Sequence, residues 1–205
     1  MSENINELVN GVISPKKLEG AEAFKNAKGS LLAAADILDY WSWAYSDIVG
    51  NTNRGALAEF IVARAISSEP AVRNDWAAYD LETPSGITVE VKSSAYLQSW
   101  NQNAVSAPSF SIRKAKEWTP ETNEFGEERI RHSDVYVFCL LAYTGDKRRL
   151  DPLDLSQWEF YVAKTSEIDR IFGDRSSISI NRVKDLSLAY SVDSLMDAVE
   201  AKYSA

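Results

Sequence analysis

Asp80, Glu90 and Lys92 are the residues whose types and spacing can do chemistry. Two acids, the second followed two positions later by a lysine, can hold a divalent cation against a phosphodiester. The carboxylates are hard oxygen donors of the kind that suit Mg²⁺ or Mn²⁺. Set side by side they repel, and they ionise together most readily with a cation between them. The lysine adds a mobile positive charge that can orient or activate an attacking water and stabilise charge developing on the phosphate.

The elements that must position these groups follow from periodicity. Ile87 to Ser94 is a strand-like run in which Ile87, Val89 and Val91 point one way and Thr88, Glu90, Lys92 and Ser94 the other. Pro84-Ser85-Gly86 supplies a chain reversal, because proline presets φ and glycine tolerates the left-handed region. A first strand is expected over Trp76 to Leu81, returning Asp80 to the side of Glu90; Asp75 is a rival for Asp80 but lies further from the turn. Upstream, residues 53–67 read as a helix with Asn51 or Asn53 as cap and Leu57, Phe60, Ile61 and Ile66 as its buried stripe. Glu59 sits near the middle of that helix, with Gly55, Ala56, Val62 and Ala63 as its neighbours. A carboxylate on so small and apolar a face is costly unless it is paired or bound to metal. Each residue also has a plainer reading: Glu90 and Lys92 as a solvated sheet face, Asp80 as a turn residue, Glu59 as the partner of Arg64 or Arg54.

Helix glutamate, aspartate, turn and a Glu90-Val91-Lys92 strand, in that order, resemble the PD-(D/E)xK nuclease superfamily. Tyr79 stands where that motif has proline. The resemblance is closest from Asn53 to Gln98. It implies an α/β, restriction-endonuclease-like three-layer core, a central mixed sheet flanked by helices. It implies that Asp80 and Glu90 bind metal, with the Val91 carbonyl and Glu59 assisting, and that Lys92 serves the nucleophilic water. Asp80, Glu90, Lys92 and Glu59 would be the catalytic set. A restriction-like or repair DNA endonuclease using Mg²⁺ or Mn²⁺ is the expected activity, with a homodimer as a candidate assembly. Some members of the superfamily keep the fold as an inactive module that binds nucleic acid or protein, and that is the alternative.

Composition bounds these expectations. The chain has 205 residues, 45% hydrophobic and 25% charged, consistent with one domain: an N-terminal helical segment over 1–50, an α-β-β-α-β metal-site core over 51–165, and C-terminal helices with an edge strand over 166–205. No apolar run approaches a membrane span, and the polar, acidic N-terminus is unlike a signal peptide, so a cytoplasmic location without membrane partners is expected. His132 is the only histidine and Cys139 the only cysteine, which excludes multi-histidine zinc sites and intramolecular disulfides. Cys139, inside a strand-like run, reads as a small core residue.

The net charge of -8 runs against simple nucleic-acid binding. Local basic clusters answer it: Arg113-Lys114-Lys116, Arg129-Arg131-His132 and Lys147-Arg148-Arg149. Arg113, Lys114 and Lys116, near Trp100 and Trp118, with Ser94 and Gln98, are the candidate nucleic-acid contacts. A helix is expected over Leu31 to Asp47, loops over Asn101 to Pro108 and Thr119 to Glu128, and strands over Ser109 to Ile112, Asp134 to Tyr143 and Trp158 to Lys164. A short helix over Ser166 to Phe172, an edge strand over Ser177 to Ile180 and a terminal helix over Ser191 to Lys202 complete the reading.

Overall fold

The computed structural model describes residues 6–68 and 72–205. In chain order the elements are β1 (Asn6–Val9), β2 (Val12–Pro15), β3 (Ala23–Lys25), β4 (Leu31–Asp36), α1 (Ile37–Tyr45), α2 (Asn51–Ala65), β5 (Leu81–Glu82), β6 (Thr88–Ala95), β7 (Ser109–Ser111), β8 (Trp118–Thr119) and β9 (Glu124–Phe125). They continue with β10 (Val135–Leu141), β11 (Trp158–Lys164), α3 (Thr165–Phe172), β12 (Ser177–Ser179), α4 (Ile180–Leu186) and α5 (Leu195–Ser204).

The organising element is β10, Val-Tyr-Val-Phe-Cys-Leu-Leu, buried at every position. An unbroken apolar run of this kind suits a central strand covered on both faces. The main sheet is mixed, ordered β11-β10-β6-β5, with β10 parallel to β6 and the other pairs antiparallel. Alternation along the strands makes two cores. Val89, Val91, Val135, Val137, Cys139 and Leu141 pack with Ala58, Ile61 and Val62 of α2 and with Leu195 and Val199 of α5. On the opposite face Tyr136, Phe138, Leu140 and Tyr161 pack with Ile168 and Phe172 of α3, Val183 of α4 and Phe110 of β7. Each such side chain withdrawn from water contributes roughly 1.5–3 kcal/mol before conformational entropy is subtracted.

Several sequence expectations are corrected. The helix expected over Leu31 to Asp47 starts only at Ile37, where Asp36 and Asp39 form a capping box; Leu31–Asp36 is a strand paired with β3. The N-terminal segment is therefore two hairpins and a short helix, not a helical extension. Alanine and leucine content suggested helix there, but strand pairing with β3 prevails over weak local propensity. No helix lies between β6 and β10; the small strands β7, β8 and β9 occupy that connection, and β8 and β9 pair within the expected loop. The first strand of the motif is two residues long, with Trp76 to Asp80 in turns and bends ahead of it. Phe60 is exposed, and the buried face of α2 is Arg54, Ala58, Ile61, Val62 and Ala63. The terminal helix begins at Leu195, after a tight turn over Val192–Ser194. The strand at Trp158–Lys164 agrees with expectation, and Cys139 is a buried core residue. Among the described residues no helix is long and apolar enough to cross a membrane.

Candidate active site

The β5–β6 hairpin sets the geometry. Thr83 and Ile87 close it by backbone hydrogen bonding, and the Gly86 amide donates to the Thr83 carbonyl across Pro84-Ser85. Gly86 has φ of 85°, the left-handed position that ends such a three-residue loop. Leu81 pairs with Val89 and Glu82 with Thr88, after which β5 is spent. Beyond Val89 this edge of β6 has no strand beside it. Asp80 fills the gap: its Oδ2 accepts from the Val91 amide at 2.7 Å. In a strand the N–H and C=O of one residue point to the same edge, so the Val91 carbonyl lies beside the Asp80 carboxylate.

Lys92 ties the acids together. Its Nζ is ion-paired with Glu90 and lies 3.9 Å from Asp80 Oδ2, with all three side chains between 20% and 28% exposed. They are thus half-shielded yet reachable. Burial, then the charge of Glu90, push the Asp80 carboxyl above its ordinary range; Lys92 and the Val91 amide oppose this without cancelling it. For Lys92 burial acts downward, but Glu90 and Asp80 prevail and hold the ammonium above its usual value. The sequence expectation that these three converge is met.

Glu59 also faces the site, and its charge acts on Lys92. Its partner is neither Arg54 nor Arg64 but Arg73, whose Nε and Nη2 donate to the two Glu59 oxygens at 2.5 and 2.8 Å. Arg73 also pairs with Asp75, the rival acid, which points to solvent. Arg73 was missed in the sequence, since it lies in an irregular segment with no period to place it. Trp76, in the same segment, packs on Trp118 at a centroid distance of 5.3 Å, seating the β8–β9 hairpin against the approach to Asp80.

The second omission is Arg54, 3% exposed. Its guanidinium donates to Asn51 Oδ1 at 2.8 Å, the Val49 carbonyl at 2.9 Å, Ser93 Oγ at 3.2 Å and Gln98 Oε1 at 3.5 Å. All are neutral acceptors, and burial lowers its pKa. The signal was present: Arg54, Ala58 and Ile61 are spaced as one helical face.

The expected nucleic-acid contacts fare differently. Ser94 and Gln98 are buried, and Gln98 spends its side chain on Arg54 and on the Ala95 carbonyl. Arg113 and Lys116 are exposed, whereas Lys114 pairs with Asp174 at 2.9 Å. Arg131 is interior and belongs to no surface cluster. Lys147 anchors the Gln98 and Trp100 carbonyls at 2.9 and 2.6 Å.

Whether a divalent cation fits turns on the donor set. Two crowded carboxylates and a backbone carbonyl on one open strand edge are all oxygen donors, and Mg²⁺ is commonly held by one or two carboxylates while keeping several waters. Among the described residues no cluster of three or more acidic, histidine or cysteine side chains could hold a metal. Asp80, Glu90 and the Val91 carbonyl are the oxygen donors that would hold such an ion, and Glu59, already paired with Arg73, stands apart.

Residues 36–182, more than half of the chain, match the family described as bacteriophage T4 endonuclease IV. The chain belongs to that endonuclease family. The matched span contains Glu59, Arg73, Asp80, Glu90 and Lys92, and membership supports nucleic-acid cleavage. Among solved structures the chain is similar to a bacterial homing endonuclease, I-Ssp6803I, at 17% identity and a TM-score of 0.34, over 63% of this chain and 76% of that one. A search of curated proteins found no match.

Proposed function

We propose that this member of the endonuclease IV family is a metal-dependent nuclease of the PD-(D/E)xK type, with a restriction-endonuclease-like core, that hydrolyses phosphodiester bonds of nucleic acid. DNA is the favoured substrate, cut internally, in a restriction-like or repair role. The observation that carries this reading is the convergence of Asp80, Glu90 and Lys92 on the stretch of β6 that β5 leaves open, with the Val91 carbonyl beside them.

Asp80, Glu90 and the Val91 carbonyl would hold the cation. When bound, a divalent ion supplies Lewis-acid polarisation of the phosphate and makes a water nucleophile available near neutral pH. Lys92, ion-paired with Glu90 and close to Asp80, acts in this reading as a donor. It orients the water in line with the scissile bond and neutralises charge on the phosphate as the new P–O bond forms and the bond to the leaving oxygen breaks. In this reading, because the chain as a whole is acidic, phosphate would be drawn locally, by the site and by exposed Arg113 and Lys116.

Lys92→Ala should lower cleavage of DNA in Mg²⁺ or Mn²⁺ by on the order of 10³-fold, with circular dichroism unchanged. A variant that retained full activity would sink the assignment.

A further inference from the structure

Glu59 is where the site departs from a set of carboxylates gathered around metal. Both of its oxygens are taken by Arg73 in a side-on pair, at 2.5 and 2.8 Å, and only 15% of the side chain is exposed. Arg73 itself is 48% exposed and within electrostatic reach of Asp80. Of the five N–H groups of a guanidinium, Nε and one each from Nη2 and Nη1 go to Glu59 and Asp75. Among the described residues the other two have no hydrogen-bond acceptor, the side chain is half-exposed, and a guanidinium matches phosphate oxygens in paired fashion. Glu59 thus holds the arginine in place, and burial of Glu59 beneath a half-exposed arginine gives the pair a direction.

We propose that Arg73 is a catalytic residue of this nuclease: fixed by Glu59, its guanidinium grips the scissile phosphate beside Asp80 and Glu90 and supplies the positive charge that a second metal ion would otherwise carry. Glu59 is then a positioning residue and not a metal ligand. The inference rests on the reading of Asp80 and Glu90 as the cation site. It assigns that site one metal ion and one arginine.

Calorimetric titration with Mn²⁺ of wild type, Asp80→Asn, Glu59→Gln and Arg73→Gln, paired with steady-state cleavage, separates the possibilities. One Mn²⁺ per chain is expected in wild type, lost in Asp80→Asn and retained in Glu59→Gln and Arg73→Gln. Arg73→Gln should lose at least about 100-fold in kcat. Its affinity for an oligonucleotide substrate, measured without divalent cation, should lose about one unit of salt slope, which a merely structural ion pair would not change. Arg73→Lys, which keeps the charge, covers misfolding of the glutamine variant and should remain folded with kcat roughly 10-fold below wild type, its planar fork lost. Loss of a Mn²⁺ equivalent in Glu59→Gln returns Glu59 to the metal and overturns the proposal, as does wild-type kcat in either Arg73 variant. Mn²⁺ binding that survives Asp80→Asn, or is absent from wild type, overturns the cation site itself.

Discussion

Two clusters of shielded charge sit in this molecule, and they are built to opposite ends. Around Arg131 every demand is met: its Nε donates to the Ile112 carbonyl at 2.7 Å, its Nη2 to the Gly173 and Arg175 carbonyls at 2.9 and 3.2 Å, and its Nη1 to Asp169. The guanidinium is wholly buried, and it pins the chain before β10 to the segments after β7 and α3. Around Asp80 the demands are left open. Two carboxylates share one ammonium, and Asp80 is pushed toward its neutral form by burial and by Glu90. A fully hydrogen-bonded buried ion rigidifies the segments around it, whereas an unsettled one marks a candidate functional site.

That contrast can be broken by substitution. Asp80→Asn should abolish cleavage, by on the order of 10³-fold, and at the same time raise Tm at neutral pH, because the folded protein disfavours the Asp80 charge. Since the folded pKa is raised, the associated stability is present below the unfolded value and is lost as pH rises through the folded one. The Tm advantage of Asp80→Asn should therefore shrink as pH falls from neutral through the raised Asp80 titration. Thermal scans across acid pH would show it, and an advantage that widens on acidification contradicts the account. A smaller effect is expected at the other cluster. Arg131→Met strands the Ile112, Gly173 and Arg175 carbonyls, while Asp169, 43% exposed, is left to solvent; a buried polar group left without its partner costs about 1–3 kcal/mol, so Tm should fall by several degrees. Activity per folded molecule should be retained. An unchanged Tm would erase the distinction between the two clusters.

The same contrast explains what was legible in the sequence. Local alternation and turn chemistry were enough for the β6 strand, the Pro84-Ser85-Gly86 reversal and the meeting of Asp80, Glu90 and Lys92, because these groups lie close in the chain and on one hairpin. The β10 and β11 strands were legible from apolar runs. The partner of Glu59 was not, because Arg73 sits fourteen residues away in an irregular segment whose path tertiary packing decides. Arg131 read as part of a surface cluster because charge in sequence says nothing of the Ile112, Gly173 and Arg175 carbonyls that fold around it. At the N-terminus, alanine-rich Leu31–Asp36 read as helix, and only its pairing with β3 makes it a strand.

The most direct test of the central claim is cleavage of supercoiled plasmid, linear duplex, single-stranded DNA and RNA by wild type in Mg²⁺, in Mn²⁺ and with excess chelator, beside an Asp80→Asn/Glu90→Gln control. Hydrolysis of at least one of these nucleic acids is expected, lost with chelator, restored by added Mg²⁺ or Mn²⁺ and absent from the double variant. Cleavage that persists in chelator, or at the wild-type rate in the double variant, would contradict that claim.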